Sequence, residues 1–213
     1  MKKPTVVLAD DHAIVLDGLR RILEPDYELL GTASNGRELV ETVLAVRPNV
    51  VVVDISMPEL NGLDAMRMAV KEGFSGKFVF LTGNLDVALA TQAFRFGASG
   101  YVLKQSAGEE LVSAIRIALN GQTYITPRIA NEVLQNLMAG GGEAEGMSLT
   151  SREREVLQLL AEGRTLKETA AVLGVSPRTV EFHRNNISEK TGLKTMAELA
   201  RYAARCGLVP EVQ

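Results

Sequence analysis

Residues 50–53 read Val-Val-Val-Val, and this run constrains the fold more than any other feature. Four consecutive β-branched apolar residues suit a strand buried on both faces, because a half-exposed strand would alternate apolar with polar side chains. Strands of that kind belong to parallel sheets covered by helices on both sides. Similar short runs lie at residues 6–9, 28–33, 78–81 and 101–103. Between them are helical stripes. Val15, Leu19, Ile22 and Leu23 follow i, i+4, i+7, i+8 spacing, as do Leu111, Ile115, Ala118 and Leu119, and Leu39, Val40, Val43 and Leu44 form a third stripe. Ser106 and Glu109 have the spacing of a capping box for the last helix of the series. Five strands alternating with five helices predict an α/β domain, a doubly wound five-stranded parallel sheet, over residues 1–122.

The pattern stops after residue 122. Residues 129–138 can form a helix, and Gly140, Gly141, Gly142 and Gly146, with Glu143 and Glu145 among them, read as a flexible acidic segment, so residues 123–147 are expected to be a linker. From residue 148 to residue 213 there is no strand signal, only short, well-punctuated helices. Thr150 with Glu153, and Thr165 with Glu168, are spaced as capping boxes. Ser176 before Pro177 is an N-cap followed by proline at the first helical position. Gly163, Gly174 and Gly192 stand where helices should stop. Four helices this short predict an all-α helix-turn-helix domain.

Charge divides the chain at the same place. Residues 1–142 carry 13 Lys/Arg against 16 Asp/Glu, whereas residues 147–210 carry 10 against 7. The acidic part and the mildly basic part suggest that only the second meets a polyanion. The single cysteine, Cys206, excludes an internal disulfide and a cysteine zinc site. No run of 18 or more apolar residues appears, and two aspartates interrupt the apolar start at residues 6–9, so neither a membrane span nor a signal peptide is expected. These features fit a cytoplasmic protein without a membrane partner.

In parallel sheets, ligands bind at the carboxyl ends of strands near a switch in strand order. Asp10 and Asp11 end the first strand, Asp54 the third, Thr82 the fourth and Lys104 the fifth. Three carboxylates in one place repel each other unless a hard divalent cation relieves them, and Mg²⁺ prefers a few carboxylates plus waters and phosphate oxygens. A carboxylate can also attack phosphorus to give an acyl phosphate, with a cation, a lysine and a hydroxyl binding the phosphoryl oxygens.

The motifs ADDH at 9–12, VVVDISMP at 51–58, NG at 61–62, LTG at 81–83 and FGASGYVLK at 96–104 resemble those of response-regulator receiver domains, over roughly residues 4–120. The resemblance implies a flavodoxin-like fold and an Asp54 that accepts phosphate from a sensor histidine kinase. It implies Mg²⁺ held by Asp11, Asp54 and the main-chain carbonyl of Ser56, with Asp10 acting mostly through water. Lys104 would bind the phosphoryl group. Thr82 and Tyr101 would be the switch pair, Thr82 moving to the phosphate and Tyr101 turning inward behind it, while Gly83 leaves the phosphate path open. His12 is expected to have a plain surface or capping role. An Asp-nucleophile phosphatase would carry a second aspartate at position 56, where this chain has serine. A dinucleotide-binding enzyme would need a glycine fingerprint after the first strand, where this chain reads ADDHAIVLDG.

Residues 149–208 are similar to the LuxR-type helix-turn-helix, which places the whole chain with the NarL/FixJ class of response regulators. The residues carrying the likeness include Thr150, Glu153, Glu155, Val156, Leu157, Gly163, Glu168, Ser176, Thr179, Val180, His183, Ile187 and Lys190. Thr169 departs from it, since the family usually has an apolar residue there. The motif's second helix is expected over 166–173 and its recognition helix over 177–191. Val180, Ile187 and His183 would face inward. Glu181, Phe182 and Asn185 share one face, which family geometry points at base edges in the major groove. Lys167, Ser176, Arg178, Thr179, Arg184, Lys190 and Lys194 would lie along the phosphates, which position rather than specify. The last helix, 196–205, has Leu199, Tyr202 and Ala203 on one face, a candidate contact in a homodimer formed on phosphorylation. The expected function is a two-component transcription regulator that binds double-stranded promoter DNA and is not a turnover enzyme, beyond slow self-dephosphorylation. The alternative is a regulator that binds DNA without phosphorylation, its receiver-like domain serving to dimerise.

Overall fold

The computed structural model describes residues 2–83, 86–139 and 149–210. The glycine-rich segment expected at 140–146 falls outside these residues. The N-terminal region contains β1 (Thr5–Ala9), α1 (Ala13–Leu23), β2 (Glu28–Ala33), α2 (Gly36–Val46), β3 (Val50–Asp54), α3 (Gly62–Lys71), β4 (Lys77–Thr82), α4 (Val87–Arg95), β5 (Gly100–Leu103) and α5 (Ala107–Leu119). The sheet is parallel throughout, and its order is β2-β1-β3-β4-β5-β6. The sixth strand, β6 (Tyr124–Ile125), corrects the expected five. Two residues show no period, so pattern reading passes over them. β6 pairs with β5, Gly100 opposite Tyr124 and Tyr101 opposite Ile125, and α6 (Pro127–Met138) follows and packs on α4.

Each face of the sheet has its own apolar layer. Val7, Val51, Val53, Phe78 and Phe80 pack towards α2, α3 and α4, whereas Val6, Leu8, Val50, Val52, Val79 and Leu81 pack towards α1 and α5. The valine run therefore supplies both layers alternately, as a doubly covered strand must. The Ser106–Glu109 box is not formed. Ser106 is the last residue of a 3-10 turn spanning Lys104–Ser106 and makes no side-chain cap bond.

The C-terminal region is helical: α7 (Ser151–Ala161), α8 (Leu166–Leu173), α9 (Pro177–Thr191) and α10 (Met196–Arg205). Both expected capping boxes form, and Thr195 with Glu198 makes a third. Gly163, Gly174 and Gly192 all take positive φ where their helices end. Val156, Leu157, Leu160, Val180, Ile187, Leu199 and Leu208 make the core. Thr169 is fully buried in it, and among the described residues its hydroxyl has no hydrogen-bond partner. An unpaired buried hydroxyl costs about 1–3 kcal/mol. Thr169→Val keeps the shape and removes the polar atom, so it is expected to stabilise the helical domain by roughly 1 kcal/mol in chemical denaturation.

The two regions are docked. α7 presents Arg154, Glu155 and Gln158, all buried, to the receiver-like region. Arg154 Nε lies 3.0 and 2.9 Å from the two carboxylate oxygens of Asp64 in the first turn of α3, and both side chains are almost wholly buried. Arg67 adds a second cation at 3.2 Å from Asp64. Arg37 pairs with Glu155 at 2.7 Å, and Arg164 with Glu59 at 3.1 Å.

Candidate functional site

Sheet order explains why the acidic residues meet. β1 and β3 are neighbours, and the chain reverses its direction of winding between them, so their carboxyl ends open a crevice. Asp10 follows β1, and Asp54 is the last residue of β3. Lys104 reaches in from the 3-10 turn just beyond β5, not from the strand itself. Its Nζ lies 2.7 Å from Asp10 and 2.8 Å from Asp54. Thr82 closes β4, next to Leu103 in the pairing. Asp10 is completely buried and Asp54 nearly so.

Burial pushes the Asp54 carboxyl above its ordinary range, against the downward pull of Lys104, with the negative Asp10 adding to the rise. Lys104 moves up as well. Burial pulls it down, but its bonds to Asp10 and Asp54 outweigh that. The pair is thus a lysinium held between two carboxylates in a low-dielectric pocket. Burial raises the Tyr101 hydroxyl strongly, opposed by its hydrogen bond with Thr82. Tyr101 lies fully inside, its hydroxyl 3.4 Å from the Asp86 carbonyl. It is therefore turned inward in this structure. Among the described residues, a Cβ at Gly83 would meet nothing within 4 Å.

The donor set suits a hard cation. Asp10, Asp11 and His12 place one potential ligand atom each within 4.8 Å of one another. Asp11 and Ser56 line one cavity of about 360 Å³. The carboxylates and the carbonyls beside them are the oxygen donors that Mg²⁺ prefers. His12 is exposed and stands at the N-cap of α1, in keeping with its expected role, though without a side-chain cap bond; its Nδ1 lies 2.8 Å from Asp11 and 3.3 Å from Asp10. Asp10 meets Lys104 directly. The same cavity is walled on its far side by Ala161, Glu162, Leu208, Val209 and Pro210 of the helical domain.

The recognition surface is exposed. On α9, Glu181, Phe182 and Asn185 all face solvent, while Val180 and Ile187 are fully buried and His183 is half-buried. Lys167, Ser176, Arg178 and Lys194 are exposed, and Thr179 and Arg184 partly so. Ser176 also caps α9 by accepting from the Thr179 amide at 3.1 Å. Lys190 is already engaged, 2.6 and 2.8 Å from the Glu153 oxygens, so a phosphate contact by Lys190 must compete with that pair. The proposed dimer residues fail as a surface. Leu199, Tyr202 and Ala203 are buried, and α10 spends this face on α7 within its own domain. An apolar stripe shows that a face is covered, without showing by what. Of the buried polar row of α7, the sequence singles out only Glu155, because no period or cap marks Arg154 and Gln158 as buried.

Residues 6–116 match the family model described as the response regulator receiver domain, and residues 147–203 that of the bacterial regulatory proteins of the luxR family. The transcriptional regulatory protein MctR of Rhizobium johnstonii is 36% identical over 212 residues, covering 99% of this chain and 97% of its own. The transcriptional regulatory protein UhpA of Escherichia coli is 38% identical over 199 residues, covering 92% and 96%. Among solved structures, RcsB of Salmonella enterica serovar Typhimurium, bound to the rprA promoter in the presence of the phosphomimetic BeF3⁻, superposes with a TM-score of 0.62. Its identity is 28%, over 95% of this chain and 99% of that one.

Proposed function

Because the chain belongs to the response regulators that join a receiver domain to a LuxR-type helix-turn-helix, we propose that Asp54 accepts a phosphoryl group from a sensor histidine kinase and thereby controls promoter binding by α9. Regulation of transcription through DNA is the family's work; the residues that perform it here are our reading. The expected division, residues 1–122, a linker at 123–147 and residues 148–213, is kept as our reading, with β6 and α6 packing on the receiver sheet and α4 rather than bridging freely.

One observation carries the reading: Lys104 sits between Asp10 and Asp54 at the carboxyl edge of β1, β3 and β5. An Asp54 oxygen attacks the phosphorus of a phosphohistidine. The P–N bond breaks, the imidazole leaves with its electron pair, and a P–O bond to Asp54 forms. Lys104 turns from the carboxylate to the new phosphoryl oxygens, and Thr82, beside it, donates its hydroxyl. Mg²⁺, held by Asp11, Asp54 and the Ser56 carbonyl, with Asp10 alongside, would neutralise the charge that builds there. Ser56 is small and leaves water a path, so slow self-dephosphorylation belongs to the same site. We place the protein in the cytoplasm, as a homodimer on paired half-sites when phosphorylated. Among the described residues no helix is long and apolar enough to cross a membrane.

The test uses phosphoramidate with Mg²⁺ as donor. Wild-type protein should gain one phosphoryl group by mass spectrometry, and Asp54→Asn none. The phosphorylated wild type should bind duplexes selected from a random pool at least tenfold more tightly than Asp54→Asn. Equal DNA binding by both would instead favour the regulator that works without phosphorylation.

A further inference from the structure

Gln158 lies on the DNA-binding domain, yet it is fully buried against the loop that follows Asp54. Its Nε2 donates to the Met57 carbonyl at 2.8 Å, and its Oε1 accepts from the Asn61 amide at 2.9 Å. One side chain thus closes a bridge across both ends of residues 57–61. Glu162, at the C-cap of α7, accepts from the Glu59 amide at 2.9 Å and from Gln158 Nε2 at 2.9 Å. Glu59 is held at φ +67°, a left-handed conformation that a non-glycine residue keeps only where its surroundings enforce it.

This loop begins at the phosphorylation site. Ser56 precedes Met57, and its amide hydrogen-bonds the Asp54 carboxylate. At the other end the Gly62 amide returns to the Ile55 carbonyl at 2.8 Å. Asn61 caps α3 through the Asp64 amide at 3.0 Å, so the loop is anchored to the helix that carries the Arg154 partner. Displacement at Met57 is therefore passed to Ser56 across one peptide unit.

We propose that Gln158 is a positioning residue of the phosphorylation site, through which the docked DNA-binding domain fixes the 57–61 loop and sets the affinity of the Asp54 site for a metal-bound phosphoryl group. The proposal rests on the Asp54 reading above and adds its reverse direction. If a phosphoryl group on Asp54 disfavours docking, docking disfavours that group by the same factor. The clamp is the route, because Gln158 touches the loop and not the acidic residues themselves. Releasing it lets Ser56 adjust to the phosphoryl group and its cation.

The experiment titrates beryllofluoride with Mg²⁺ into the full chain by calorimetry, with small-angle scattering of the same samples reporting docking. Gln158→Ala should remain docked through Arg154–Asp64 and bind beryllofluoride about fivefold or more tightly than wild type. An unchanged affinity in a docked Gln158→Ala overturns the proposal. Should that variant open, Gln158→Met replaces it: it keeps the side-chain length without adding a charge beside Glu162, loses the hydrogen bonds to Met57 and Asn61, and should show the same tightening. A residue that only glued the domains together would move the melting temperature and leave the affinity of the docked form alone. Failure of wild type itself to bind beryllofluoride overturns the Asp54 reading first, and that result is separate from equal binding by wild type and variant.

Discussion

Arg154→Ala should open the protein without unfolding either domain. Breaking a buried ion pair by removing one partner costs about 3–5 kcal/mol, because the remaining charge is left uncompensated. Arg154 and Asp64 are both almost inaccessible to water. Arg67 stays 3.2 Å from Asp64, so the lower end of that range applies. The penalty falls on the docked arrangement alone. Once α7 leaves, Asp64 is hydrated and the helical domain keeps its own core of Val156, Leu157, Leu160, Val180 and Ile187. A cost of about 3 kcal/mol raises the open-to-docked ratio by about a hundredfold. Scattering should report a larger radius of gyration, and the helical domain should melt as before. A double-mutant cycle with Asp64→Ala should give a coupling of at least about 2 kcal/mol. Unchanged scattering from Arg154→Ala would show that other contacts carry the docking.

Opening also has a functional side. Glu181, Phe182 and Asn185, proposed to face the bases, are exposed in the docked arrangement, so docking does not cover them with the receiver. In the homodimer proposed above, what it would restrain is the placement of one recognition helix relative to the other copy's, since two half-sites need a defined spacing. Docking that fixes each helix-turn-helix to its own receiver limits that pairing. The edge of the receiver beyond β5 is meanwhile taken up by β6 and by α6 on α4.

The sequence shows its regular parts for a simple reason: they follow from periods and caps that act over a few residues. The valine run, the helical stripes, Thr150–Glu153, Thr165–Glu168 and Ser176–Pro177 are local, and each took the structure its neighbours dictate. The site was legible because a parallel sheet sends all its strand ends to one edge, so Asp10, Asp54, Thr82 and Lys104 could be brought together from order alone. The rest depends on distant partners. Arg154 and Gln158 look like exposed helix residues until α3 and the 57–61 loop arrive, 90 and 97 residues away in sequence. Leu199, Tyr202 and Ala203 form a real apolar face, but periodicity cannot say whether α7 or a second chain covers it. Ser106 has the spacing of a cap and the geometry of a 3-10 turn, because Lys104 must bend towards Asp54 just before it.

Gly62→Ala should damage fold and site together. A Cβ at Gly62 would stand 2.1 Å from the Asp54 carbonyl oxygen and 3.1 Å from the Asp54 carbonyl carbon and a Val53 methyl. The obstacle is the backbone of a central strand, paired on one side with β1 and on the other with β4, so it has little room to yield. Overpacking of this kind costs typically 1–3 kcal/mol, and a fixed backbone places it at the top, about 3 kcal/mol. For a domain of this size that lowers the melting temperature by roughly 10 °C. The shift moves Asp54, the proposed phosphoacceptor, so phosphorylation by phosphoramidate should fall at least tenfold even at temperatures where the variant is folded. Gly83→Ala is the control: its Cβ meets nothing within 4 Å among the described residues, so stability should change by less than about 0.5 kcal/mol. A Gly62→Ala protein that melts with wild type and is phosphorylated at the wild-type rate would mean that α3 can slide away from β3, and that the close approach of Gly62 to Asp54 does not set the position of the nucleophile.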